Sequence, residues 1–139
     1  MTDIDRLLDE LEQSAGSPEL DAAMQAVLEP ELAAQGVQPR ACTTNLVEAI
    51  AMLKRVFPGW SWRVAECSVS DDAWLAPDFN CPKHGNRLRE ELCQDTDWTD
   101  LTDVDLRPPG RNSVALCMSM LLAKEAVADG RYKATATTD

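Results

Sequence analysis

The segment from Ser113 to Val127 constrains the fold most. Val114, Cys117 and Leu121 recur at helical spacing, Met118 and Leu122 widen the stripe, and Ala115, Ser119, Ala123 and Ala126 are small enough for a neighbour to approach closely. A helix with so long an apolar face must lie against another layer.

That layer is expected to be a sheet. From Trp60 to Cys67, Trp60, Trp62 and Val64 point one way and Ser61, Arg63 and Ala65 the other, which is strand alternation. Ser70-Asp71-Asp72 has the composition of a turn, and Ala73 to Ala76 that of a returning strand. Trp74 is then expected to meet Trp60 and Trp62 across the hairpin, inside the core. A third strand is expected through Leu101, Asp103, Val104 and Leu106, ahead of the break at Pro108-Pro109-Gly110.

Helices precede the sheet. Ile4, Leu7, Leu8 and Leu11 share a helical face that ends at Gly16; Ser17-Pro18-Glu19 then caps a second helix carrying Leu20, Met24, Val27 and Leu28, which Pro30 stops. Residues 30–43 are expected to link these helices to the rest, as a hinge. Asn45 and Glu48 have the spacing of a capping box, and Leu46, Ile50, Leu53 and Phe57 continue one face to Pro58-Gly59. The fold class is therefore α+β: a small antiparallel sheet, a hairpin with a third strand, packed against helices and preceded by two N-terminal ones. The segments divide into helices at 1–29, a linker at 30–43, a sandwich-like body at 44–128 with a polar insertion at 77–105, and a mobile tail at 129–139 without hydrophobic periodicity.

At 139 residues the chain can close one core without disulfides or metal. It carries 24 acidic and 13 basic residues, a formal charge of −11, which repels nucleic-acid phosphates and anionic membranes and favours a protein partner with a basic surface. No run of residues is apolar enough to span a bilayer, and the start, Met1 to Leu11, lacks an apolar leader core. The five cysteines are odd in number. Together these features lead us to expect reduced thiols and a cytoplasmic location.

The insertion holds the residues that do not reduce to scaffold. Cys81, His84 and Cys93 offer two thiolates and the only imidazole of the chain, a ligand set that suits zinc. Their spacing, Cys-x2-His-x8-Cys, matches no paired-ligand pattern, so no cofactor is expected, with zinc as the alternative. Asp95, Asp97, Asp100, Asp103 and Asp105 form an acidic ladder. Read as a calcium loop from Asp95, it puts Asp100 where glycine belongs and Leu106 where the bidentate glutamate belongs. Trp98, set among these acids, is expected to be exposed and to anchor a partner together with Asp95, Asp97, Asp100 and Asp103. There is no nucleophile elbow, phosphate loop, dinucleotide fingerprint or His-Glu-x-x-His motif, and an enzyme is not expected.

Five pieces, Leu7-Leu8-Asp9-Glu10-Leu11-Glu12, Glu19-Leu20-Asp21-Ala22-Ala23, Thr43-Thr44-Asn45-Leu46, Pro58-Gly59-Trp60-Ser61-Trp62-Arg63-Val64 and Asn112-Ser113-Val114-Ala115-Leu116-Cys117, resemble a family of small phage and prophage proteins with an α/β/α (ABA) sandwich domain. None of them is a catalytic signature. The resemblance implies a phage- or prophage-encoded accessory protein in the host cytoplasm: a non-enzymatic module that engages a host or phage protein, as in counter-defence. Two alternatives stand beside it. One is a nucleotide or small-molecule binder, which requires Arg63, Arg87, Arg89 and Arg107 to cluster; the other is a zinc protein built on Cys81, His84 and Cys93.

Overall fold

The computed structural model describes residues 2–134. Among them, seven α-helices and one three-stranded antiparallel sheet make an α+β fold. Three of the four helices ahead of the sheet begin at a side-chain cap. Thr2 and Asp5 exchange bonds in a capping box ahead of α1 (Asp3–Glu12), Ser17 accepts from the Leu20 N–H ahead of α2 (Pro18–Leu28), and Asn45 accepts from Val47 and Glu48 ahead of α4 (Leu46–Val56).

The expected linker is docked to the body. Pro30 starts a short helix, α3 (Pro30–Ala34), and the backbone beyond it is held by side chains of α2. Gln25 donates to the Val37 carbonyl at 3.1 Å, and the buried Asp21 carboxylate accepts from the Thr43 N–H at 2.9 Å and from its hydroxyl at 2.5 Å. Arg55 of α4 closes the arrangement with a bidentate pair to Glu29, both bonds 2.9 Å. The Val37 carbonyl and the Thr43 backbone are thus tied to α2 by buried side chains.

The strands β1 (Trp60–Glu66) and β2 (Asp71–Pro77) form the expected hairpin, but its turn lies at Cys67–Ser70, where the Cys67 N–H donates to the Ser70 carbonyl. The resulting register pairs Trp62 with Leu75 and Arg63 with Trp74. Trp74 is therefore on the face opposite Trp60 and Trp62, not among them. Side chains alternate with period two, so this register assigns it outward. The strand β3 (Val104–Leu106) pairs with β2 over three residues only.

The insertion is not a polar excursion. It contains α5 (Gly85–Glu91) and α6 (Trp98–Thr102), and it sends Leu88, Leu92, Trp98 and Thr102 into the core. Past the end of β3, α6 takes over as the neighbour of β2. The Thr102 hydroxyl accepts from the Leu75 N–H at 2.8 Å and lies 2.6 Å from the Leu75 carbonyl, to which it donates. One side chain thus satisfies the backbone pair that a longer β3 would have satisfied.

Helix α7 (Asn112–Ala128) lies at the centre, against the inner face of the sheet on one side and against α1, α2 and α4 on the other. The expected mobile tail is a docked segment as far as it is described. A 3-10 turn at Gly130–Tyr132 leads into backbone bonds from Cys93 to Tyr132 and from Ala134 to Glu91, and the Tyr132 ring packs on Trp98. Residues 135–139 lie outside the described residues. No helix among the described residues is long and apolar enough to cross a membrane.

The Thr102 contact yields a prediction. Thr102→Val keeps the shape and removes the hydroxyl, leaving the Leu75 N–H and C=O buried without partners, so unfolding stability should fall by about 1–3 kcal/mol. Chemical denaturation measures it, and a midpoint equal to that of the parent protein would show that α6 does not hold the edge of β2 in this way.

Candidate functional site

The sheet has one covered and one open face. Ala73, Leu75, Val104 and Leu106 are buried against α7, whereas Ser61, Arg63 and Asp105 are exposed and Asp72, Trp74 and Ala76 half-buried on the other side. On that open face, the register of β2 with β3 sets Asp72 directly opposite Asp105. Like charges placed so weaken a sheet.

More carboxylates converge there. Trp74, Asp97, Asp100 and Asp103 line a depression of 300 Å³, and Arg63, Cys67, Asp72, Asp103 and Asp105 are among the residues lining a second of 420 Å³. Asp103 belongs to both and joins them into one surface. Partial burial, followed by the charges of Asp72, Asp105 and Asp100, raises its carboxyl above the usual Asp value. At the far end of the second depression, the Ser70 hydroxyl and then the backbone N–H groups of Val69 and Ser70 hold the Cys67 thiol below its ordinary value.

Of the residues expected to bind a partner, Asp97, Asp100 and Asp103 meet on this surface, and Asp95 lines a separate depression with Cys93 and Arg89. Asp97 also caps α6, accepting from the Asp100 N–H at 3.2 Å. Trp98 does not belong to the surface. It is 3% exposed, its ring lies 5.5 Å from that of Trp60, and its indole N–H donates to the Cys93 carbonyl at 3.0 Å. The reason is helical spacing: in α6, Trp98 and Thr102 fall on one face, which turns inward, while Asp97 and Asp100 stay out. The aromatic residue that does accompany the acids is Trp74, together with Asp72 and Asp105 from the paired strands.

Cys81, His84 and Cys93 are not brought together. His84 stands at the start of α5 and Cys93 two residues past its end, so the helix, at 1.5 Å per residue, holds them on the order of 10 Å apart. His84 instead packs on Gly59, which has φ +88°; a Cβ at Gly59 would lie 2.5 Å from that of His84. Among the described residues no three His, Cys, Asp or Glu side chains form a group that could hold a metal ion. Nor do the four arginines cluster. Arg63 is on β1, Arg87 reaches the Pro58 carbonyl, Arg89 bonds Phe79 and Asn86, and Arg107 pairs with Asp105 at 3.4 Å.

No family model, curated protein or solved structure matches the chain. The site is therefore read from its own chemistry: an open sheet face with Trp74, Arg63, the Arg107–Asp105 ion pair and a surplus of carboxylates.

The raised Asp103 carboxyl gives a second prediction. A group whose folded value is raised supports folding while protonated, and that support is lost as pH rises through the raised value. Asp103→Asn should therefore melt higher than the parent at neutral pH. The gain should vanish below about pH 3, where both side chains are uncharged, and shrink in high salt. A gain that persists unchanged at low pH would show that charge is not its cause.

Proposed function

We propose that the protein is a binding module whose open sheet face receives a basic segment of a protein partner. The observation that carries this reading is the pairing of Asp72 with Asp105 beside Trp74, with Asp97, Asp100 and Asp103 closing around it. Carboxylates that repel one another in the free protein are neutralised when lysine or arginine side chains settle among them, so binding recovers what folding gives up. Trp74 supplies a flat apolar surface on which the stem of a lysine or the plane of a guanidinium rests. In keeping with the resemblance noted in the sequence, we assign the chain to the small phage- or prophage-encoded accessory proteins. A basic host or phage protein, as in counter-defence within the host cytoplasm, is then the class of partner.

A synthetic lysine- and arginine-rich peptide tests the reading. The parent protein should bind it with an affinity that falls steeply with salt. Trp74→Ala combined with Asp100→Asn and Asp103→Asn should weaken binding about tenfold or more. A control with the same net charge change, Asp9→Asn with Glu10→Gln on the exposed side of α1, should leave it unchanged. Equal loss in the two variants would mean that net charge alone attracts the peptide, and would overturn the assignment of this face.

A further inference from the structure

A second concavity shares no residue with the acidic face. It is a cavity of 140 Å³ where the end of α4, the first residue of β1, α5 and the last turns of α7 meet. Phe57, Trp60, Leu88 and Leu92 are all buried and make its floor. That floor is fixed in place. The Phe57 and Trp60 rings meet edge to face at 5.1 Å, and Trp60 is backed by Trp98, itself held by the Cys93 carbonyl.

The rim differs from the rest of this acidic chain. Two cations, Arg87 and Lys124, stand there with one carboxylate, Glu91. Arg87 is committed: it donates to the Pro58 carbonyl at 3.0 Å and to Glu91 at 3.1 Å, bridging α5 to the turn before β1. Lys124 has no ion-pair partner among the described residues. The mouth thus carries one uncompensated positive charge over an apolar floor.

Size narrows the class of ligand. An apolar cavity of about 150 Å³ takes up a benzene ring, whereas sites for larger ligands run from about 300 Å³ upward. One ring fits here, and a nucleotide does not. We propose that this cavity binds a small aromatic carboxylate, with the ring on Trp60 and Leu88 and the carboxylate at the Lys124 ammonium. Phosphate esters are disfavoured because a second negative charge would face Glu91. The site is independent of the acidic sheet face.

Phenylacetate and its neutral counterpart phenylacetamide are the probes, titrated into the full chain while the indole N–H resonance of Trp60 is followed by NMR. The acid should move that resonance saturably, with the amide about three- to fivefold weaker. Lys124→Gln, a change at an exposed position, should abolish the difference while leaving the amide's affinity as it was. Val127→Phe, which fills the cavity from α7, should remove binding of both. The proposal is overturned if neither probe saturates, if acid and amide bind the parent protein equally, or if binding survives in the filled variant.

Discussion

From Ser113 to Leu121 helix α7 has no side that faces water, and the architecture follows from that constraint. Eleven of its residues are buried, and nine of them run without a break from Ser113 to Leu121, so that part of the helix is covered on every face. A helix buried on one stripe needs one neighbouring layer; a helix buried all round needs two. The sheet supplies one and α1, α2 and α4 the other. Two polar side chains that α7 carries inward are engaged. The Ser119 hydroxyl donates to the Thr102 carbonyl at 2.8 Å, and the Cys117 thiol to the Cys42 carbonyl at 3.3 Å. A hydrogen bond with Cys42 and complete burial raise the Cys117 thiol well above its ordinary value, so it stays protonated and behaves as a packing group.

The start of α7 is also where the chain is tied together. No side chain adjacent in sequence caps this helix; Asp71, forty residues earlier at the start of β2, is buried there and accepts from the Arg111 N–H. A carboxylate at that end complements the helix dipole. The Arg111 guanidinium then donates to the carbonyls of Glu12, Ser14 and Arg107. Two residues so placed join the end of α1, the start of β2 and the loop after β3 to the central helix.

What was legible in the sequence was what is specified locally. Thr2, Ser17 and Asn45 announce their helices, Pro58-Gly59 separates α4 from β1, and the apolar stripe of α7 requires burial wherever it packs. The two misplaced tryptophans depend on something else. Whether Trp74 faces in or out is a question of parity in the hairpin. A turn centred on Asp71 sets it on the side of Trp60 and Trp62, and the observed turn, centred between Ser68 and Val69, sets it on the other. Composition favoured the Ser-Asp-Asp run as the turn, but Asp71 was needed at the start of α7, a long-range demand invisible from its neighbours. Trp98 was legible after all: Asp97 as a cap, followed by Trp98, Leu101 and Thr102 at helical spacing, is the signature of a short helix with an inward face. The density of aspartates hid it.

Acids on a sheet surface have another ordinary use, to keep an exposed edge from pairing with a second chain. The distribution here does not follow that purpose. Protection of an edge calls for charge on β3, where Asp105 and the neighbouring Asp103 stand, and β3 is already short at three residues. It does not call for Asp72 on the central strand β2, whose backbone has a strand on each side and where the opposing Asp105 makes the charge costly. Nor does it call for a half-buried tryptophan in the same depression, since an apolar ring on an open face promotes the contacts that edge charges prevent. Repelling carboxylates around an accessible indole are the features on which the proposed reception of a cation with an apolar stem rests. The same logic separates the two concavities: the sheet face offers negative charge over a shallow surface, which suits a flexible basic segment, and the cavity beside α5 offers one positive charge over a buried apolar floor, which suits a small rigid anion.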